Sequence, residues 1–395
     1  MKYRRFGRLN WEVSVLGFGA MRLPTIDGDP SRVNEPEAIR MIRYAIDHGL
    51  NYIDTAYQYH GGNSEVVVGK ALKEGYGGKA RVATKMPIGR INRSEEMDDI
   101  LNEQLRRLQL DHVDFYLLHG LNRDRWRKTL ELNALEWAER QIAEGKIRYL
   151  GFSFHDEFEI FKEIIDGYDG WTFCQIQLNY VDNENSRRTP GIMGLNYAAS
   201  RRLAVVVMEP LKGGLLTVTP PKEVQSIWDR AEVKRSRAEW ALLWVWSHPE
   251  ASVALSGMST MDQVIENLRI AELSGSSIIS PKDFEVLAKV REKYLEYGFI
   301  GCTGCRYCMP CPQGTRIPDI LSFYNELLSS DDSKRLGIIE RYNATIPPEN
   351  RAEACIGCGA CVEKCPQNLP IPRLLSNTQR FLRITTQQDS RSEDR

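Results

Sequence analysis

Cysteine is nearly absent from most of this 395-residue chain: Cys174 is the only one before residue 302. Lying inside an apolar run, it reads as a small buried hydrophobe. Long apolar runs are missing too. No stretch approaches the roughly 18 apolar residues that span a bilayer. The opening "MKYRRFGRLNWEVS" has charge but no apolar core of signal-peptide length, and a cytoplasmic location is the expectation. An excess of one charge is lacking, with a formal net charge of −1. Nothing therefore favours nucleic acid or an anionic membrane surface, and Arg4-Arg5 and Arg187-Arg188 read as solvated surface. No G-x-G-x-x-G follows the first apolar run, and "GFGAMR" is too short a match to mark a dinucleotide fold.

What is present is a regular alternation. Short apolar runs lie near 15–20 ("VLGFGA"), 51–56 ("NYIDTA"), 81–85 ("RVATK"), 113–119 ("VDFYLLH"), 147–153 ("IRYLGFS"), 173–178 ("FCQIQL"), 204–209 ("AVVVME") and 252–257 ("SVALSG"). Near-continuous apolarity is the mark of strands buried on both faces of a parallel sheet. Amphipathic segments separate them. "SEEMDDILNEQLRRLQL" carries a stripe of Met97, Ile100, Leu101, Leu105 and Leu108, with Ser94 as the expected N-cap. "LNALEWAERQIAEGK" ends near Gly145, a C-cap glycine. Eight alternations predict a (β/α)₈ TIM barrel, with a doubly wound open sheet as the weaker alternative. The expected division is a barrel over 1–275, a linker and helix over 276–300, a small cysteine-bearing domain over 301–375 and a flexible tail over 376–395.

Polar residues stand where buried strands end, the place where barrels carry chemistry. Asp54 ends the second run, Lys85 the third and His119 the fourth, and Tyr59 follows Asp54 by a short loop. Singly, each has an ordinary structural reading, and Tyr57 competes with Tyr59. Together they make a proton-donating group. A tyrosine with its usual pKa of about 10 is a poor acid or base near neutrality. A lysine ammonium favours its phenolate, an aspartate keeps the lysine charged, and a histidine polarises a carbonyl.

The motifs "DTAYQYHGGNSEVVVGKAL", "RVATK", "VDFYLLH" and "IRYLGFS", in this order, resemble the aldo/keto reductases over about residues 1–275. The resemblance implies a (β/α)₈ barrel, NADP(H) or NAD(H), and a catalytic tetrad falling on Asp54, Tyr59, Lys85 and His119. It implies cofactor contacts at Ser153 and Gln175, at Met208, Pro210 and Leu211 of "MEPLKGG", and at Ser259, Gln263, Glu266 and Asn267 of "SGMSTMDQVIENL". The chain departs from the family at Phe154, where an asparagine is usual, and at Gly257-Met258, where some members aim Lys-Ser at a 2′-phosphate.

The cysteines come at the end. Cys302, Cys305, Cys308 and Cys311 form one run, and Cys355, Cys358, Cys361 and Cys365 a second. The second matches the C-x₂-C-x₂-C-x₃-C-P pattern of iron–sulfur ligation. Structural zinc prefers separated cysteine pairs, and disulfides do not suit a reducing compartment. Over about 298–370 the chain resembles the two-cluster bacterial ferredoxins, which implies a small α+β domain with two [4Fe–4S] clusters. It also implies crossed ligation, with Cys302, Cys305 and Cys308 joined by Cys365, and Cys355, Cys358 and Cys361 joined by Cys311. Two departures bear on the crossing. The first run has two residues before its last cysteine, and residues 312–354 hold an inserted helix in "IPDILSFYNELLSS".

The expected protein is an oxidoreductase interconverting a small carbonyl substrate and its alcohol. A hydride carries two electrons and a cluster one, so something must divide the pair. A flavin would do so, but no separate flavin motif is present. Four readings stay open: exchange with an external one-electron carrier, a flavin or radical-forming substrate in the barrel, structural or redox-sensing clusters, and a non-catalytic nucleotide-binding subunit.

Overall fold

The eight apolar runs become eight strands. The computed structural model describes residues 1–275 and 278–393. It opens with an antiparallel hairpin, β1 (Tyr3–Arg5) and β2 (Glu12–Ser14), in which Tyr3 pairs with Ser14. Then come β3 (Leu16–Gly19), β4 (Tyr52–Asp54), β5 (Arg81–Met86), β6 (Val113–Leu121), β7 (Ile147–Phe154), β8 (Phe173–Gln177), β9 (Ala204–Met208) and β10 (Ala251–Ser256). All eight pair in parallel, and β10 closes the barrel on β3. Every residue of β6 is buried, as expected of a strand covered on both faces.

The hairpin was not expected from the sequence, because its strands are three residues long and half charged. It carries Phe6 into the core, fully buried among Tyr52, Phe115, Phe173, Val206 and Val253. The Phe6 and Phe115 ring centroids are 4.8 Å apart. These partners lie toward the strand starts, so one end of the barrel is filled by packing and the C-terminal strand ends are left for polar groups. Truncating Phe6 to alanine removes a plug worth about 3–5 kcal/mol. Gly151 makes room for another part of this core, since a Cβ there would lie 2.5 Å from the Phe173 ring.

The helix Glu96–Leu108 buries Met97, Leu101 and Leu108. Ser94 does not cap it: the helix begins two residues later, and no side chain caps its first turn. Glu96 instead accepts the Asn92 backbone N–H at 2.9 Å. The helix Ala134–Ala143 ends as expected, with Gly145 at φ +78° donating to Ile142 O.

The chain divides into two compact units, and the boundary differs from the expected one. The first holds Met1–Leu211 and Ala238–Ser280; the second holds Lys212–Arg237 and the residues from Pro281 onward. The barrel span therefore gives up the segment after β9. Within the second unit, the helix Lys222–Arg230 packs on the helix Pro281–Tyr297. Arg235 pairs with Asp283 at 3.1 Å, both about 7% exposed, and Glu223 accepts from the Tyr297 hydroxyl. Gly213, at φ +66°, lies so close to the cysteine loop that a Cβ would come within 2.7 Å of Thr303 Cα. Of the expected linker, Ser276 and Ser277 lie outside the described residues.

The second unit continues with the helices Ile317–Ser329, Asp332–Thr345 and Ile371–Glu393 around a core of Ile300, Ile320, Leu321, Ile346 and Leu375. The first of these is the helix expected between the cysteine runs. Its described residues hold helices and turns and no strand, so the α+β character implied by the ferredoxin resemblance is not carried by strand pairing here. Two α-helices occupy the inserted stretch. The expected flexible tail from 376 is helical to Glu393, with Leu375 and Thr378 buried at its start. Residues 394–395 lie outside the described residues.

Candidate functional site

β4 delivers Asp54 and β5 delivers Lys85 to neighbouring strand ends. Lys85 Nζ donates to Asp54 Oδ1 at 2.6 Å and to Thr55 O at 2.7 Å. The two side chains are only 1% and 4% exposed. Burial opposes both charges, pushing the lysine down and the aspartate up, and the bond between them offsets this for each. Asp54 Oδ2 is buried without a partner.

Tyr59 starts a tight turn that passes through His60 at φ +53° and Gly61 at φ +65°. Its ring is buried, with Lys85 Nζ 5.0 Å from the ring centroid. The His119 ring at the end of β6 stands edge-on to it, 6.2 Å away. Burial first, then the Lys85 charge, hold His119 well below the usual imidazole range, so the ring is neutral. Tyr57 is drawn elsewhere. Arg107 covers its ring at 4.4 Å and donates to its carbonyl at 3.0 Å. The lysine therefore faces Tyr59.

Two features went unnoticed in the sequence. Gln58 Nε2 approaches His119 Nδ1 at 3.4 Å, tying the tyrosine loop to the histidine. Behind Lys85 lies a buried polar network. Glu65 accepts from Thr84 at 2.6 Å and from Gln104 at 2.8 Å, and pairs with Arg107 at 3.1 Å. Gln104 also donates to Lys85 O at 3.0 Å, which fixes the backbone that carries the lysine. A glutamate on the buried face of the helix Asn63–Ala71 was the available signal.

The expected cofactor residues occupy the later strand ends. Gln175 on β8 lies opposite Ser153 on β7 and Val206 on β9, and its Oε1 is buried without a partner. Ser153 Oγ accepts the Gly120 N–H at 2.7 Å. Met208 ends β9 half-buried, Glu209 turns through φ +56°, and buried Pro210 and half-buried Leu211 follow. Beyond β10, Ser259 donates to Arg22 O at 2.8 Å, and its backbone N–H is held by Gln263 Oε1 at 2.7 Å. Half-buried Glu266 lies on the same helix, and Asn267 donates to Ser256 Oγ at 2.7 Å. Arg22 covers Gly257, where a Cβ would meet its Cδ at 2.8 Å.

In the second unit the thiols surround two cavities. One, of about 320 Å³, is lined by Cys302, Cys305, Cys308 and Cys365. The other, of about 410 Å³, is lined by Cys308, Cys311, Cys355, Cys358 and Cys361. Ile317 borders both. Burial pushes the Cys308 thiol up to about 12, and the thiols that add to it are Cys305, Cys302 and Cys365. Cys361 is raised by burial and then by Cys355, Cys311 and Cys358. Gly304, Gly357 and Gly359 all take positive φ, from +66° to +80°. Among the described residues, no three His, Cys, Asp or Glu side chains close on a single ion.

Comparison with known proteins agrees with both units. Residues 15–280 match the aldo/keto reductase family, and residues 301–369 match a 4Fe-4S dicluster domain. L-galactose dehydrogenase of Arabidopsis thaliana is 27% identical over 312 residues, spanning 73% of this chain and 93% of that protein. Aldo-keto reductase AKR11C1 from Bacillus halodurans, in its holo form, gives a TM-score of 0.61 at 27% identity over 73% of this chain and 96% of that one. An aldo-keto reductase from Klebsiella pneumoniae in complex with NADPH gives 0.57 at 25% identity over 74% and 95%. No helix among the described residues is long and apolar enough to cross a membrane. With its closed parallel barrel and its paired cavities of thiols, the chain belongs to the aldo/keto reductase family, an oxidoreductase that carries a 4Fe-4S dicluster domain after its barrel.

Proposed function

We propose that the barrel interconverts a small carbonyl compound and its alcohol with NADP(H) or NAD(H), and that the thiols hold two [4Fe–4S] clusters with crossed ligation. The observation that carries the first part is the lysine held by Asp54 and facing the Tyr59 ring. A bound dihydronicotinamide supplies the hydride, and bound clusters supply one-electron capacity.

The chain's own residues handle the proton. Tyr59 gives one to the substrate oxygen during reduction and takes it back during oxidation. Lys85 favours the phenolate, and Asp54 keeps the lysine charged against its burial. Gln58 directs an amide N–H at His119 Nδ1, which leaves the ring proton on Nε2, the nitrogen that polarises the carbonyl. A neutral imidazole donates there without adding a second charge beside Lys85.

The residues fit a nicotinamide nucleotide. Gln175 Oε1, buried without a partner beside Ser153, suits a carboxamide. The NADPH complex of the Klebsiella relative favours NADP(H). The thiols fit cubanes because each cavity is lined by at least four of them. Cys358 is exposed and neighbouring Ile356 is 68% exposed, which favours the second cluster as the point of exchange with an external one-electron carrier. No residue in hand argues for a flavin. Anaerobically purified protein, given NADPH deuterated at C4 and a panel of aldehydes and ketones, is expected to place deuterium on the carbinol carbon. Iron and acid-labile sulfide analysis should find about eight of each. Absence of label on every carbinol would end the hydride-transfer reading.

A further inference from the structure

We propose that the substrate is a short carbonyl compound bearing a carboxylate, and that Arg125 and Arg90 receive that carboxylate beside His119. The proposal names the substrate class of the reaction proposed above and rests on that reading. Arg125 stands in the first turn of the helix Arg123–Glu131, just beyond β6. Its side chain turns back over the strand end, where Nη1 donates to Gly120 O at 2.7 Å. Gly120 follows His119 directly and takes φ +64°. A Cβ there would lie 2.6 Å from Arg125 Nη1, and a Cβ at Gly89 would lie 3.2 Å from Arg125 Nε. Gly89 belongs to the turn Ile88–Arg90 that follows β5. The guanidinium therefore sits in a slot that two glycines leave open, between the strand ends that carry Lys85 and His119. The His155 ring reaches the same place, its Cδ2 4.0 Å from the Gly120 Cβ position, and its Nδ1 is buried without a partner.

Charge says what the slot suits. After burial, the groups that hold His119 neutral are Lys85, Arg125, His155 and Arg90, all cationic when charged. Lys85 is answered by Asp54. Arg90 is exposed, and its side chain makes no hydrogen bond or ion pair among the described residues. A guanidinium presents five donors in a planar fork, so one bond to Gly120 O does not exhaust Arg125. A carboxylate brings the opposite charge to this edge of the site and accepts from such a fork in pairs. Arg125 is half-buried, and desolvating a phosphate dianion costs more than desolvating a carboxylate. Burial, and then Arg125, hold His155 down to about 3, so its ring is a neutral donor that adds no charge. The anchor lies one residue along from the histidine that polarises the carbonyl, which puts the acid group a few bonds from the reacting carbon.

The test gives the anaerobically purified holoprotein short 2-oxo and 4-oxo acids beside their methyl esters, which keep the carbonyl and remove the charge. For the best acid, kcat/KM is expected to exceed that of its ester about 100-fold, the worth of a charge-assisted fork. Arg125→Met should lower the acid-to-ester ratio about 100-fold, through KM for the acid. Arg125→Lys, which keeps the charge and loses the fork, should recover part of that ratio. If Arg125→Met does not fold, Arg90→Met, on an exposed side chain, should lower the ratio about tenfold. An ester used as well as its acid, a ratio that neither substitution moves, or a preference for phosphate-bearing aldehydes over the acids overturns the proposal while leaving the carbonyl reading in place. Turnover of no carbonyl compound, charged or neutral, overturns both.

Discussion

In the barrel, Lys85 and Asp54 answer each other across 2.6 Å while almost wholly buried. In the dicluster domain, Cys302, Cys311, Cys355, Cys361 and Cys365 pack directly on the apolar core. The barrel meets most of its polar needs from within: strand hydrogen bonds, the Glu65 network and the lysine pair are in place without a ligand. The dicluster domain has no strand among its described residues, and thiols stand where a core would have side chains. Bound metal would add folding free energy to such a unit. On the proposed function, the difference teaches that one half of the chain takes up its nucleotide as a finished protein, whereas the other is finished by its clusters.

Stripping the iron with a chelator under reducing conditions tests this contrast most drastically. We expect proteases to cut within 212–237 and after Pro281 while the barrel strands stay protected and unfold as before. Equal resistance of both units would erase the contrast. Next in size is Lys85→Met. It leaves Asp54 buried without its cation, which costs about 3–5 kcal/mol of stability, and it should lower turnover by about 10²- to 10⁴-fold. Unfolding in denaturant and steady-state rates measure the two, and iron content should not move.

The barrel was legible because strands buried on both faces read as apolar runs, and because Asp54, Lys85 and His119 interrupt those runs at their ends. The cysteine runs were legible from spacing alone. What escaped depends on contacts remote in sequence. Residues 212–237 join the second unit through partners such as Asp283, Tyr297 and Thr303, which no local pattern announces. The β1–β2 hairpin hides in charged three-residue strands. Gln58 is an ordinary loop glutamine until His119 folds against it. The polar sequence after 376 looked too weak to stay helical because the burial that anchors its start, at Ile371 and Leu375, lies upstream.

A smaller effect sharpens the cluster side. Cys365→Ala and Cys311→Ala should each remove about half of the iron. Paramagnetic resonance of the reduced proteins should show a different surviving cluster in each. Retention of both clusters in either variant contradicts the crossing. Smallest is a pH effect in the barrel. His155 has a folded pKa far below its unfolded value, so below about pH 6.5 the unfolded chain takes up a proton that the folded one refuses. The contribution is complete above that pH and is lost as pH falls, by up to about 1.4 kcal/mol per unit. Between pH 6.5 and 5 the His155→Phe variant should therefore lose about 2 kcal/mol less than the parent in urea unfolding. An identical loss in both would place that histidine in water.

The most direct trial of the central claim is Tyr59→Phe, assayed as carbonyl-dependent NAD(P)H oxidation without oxygen. The account predicts a fall of about 10²- to 10⁴-fold, with nucleotide affinity and iron content unchanged. Turnover within a few-fold of the parent enzyme would show that the phenol held beside Lys85 is not the proton donor.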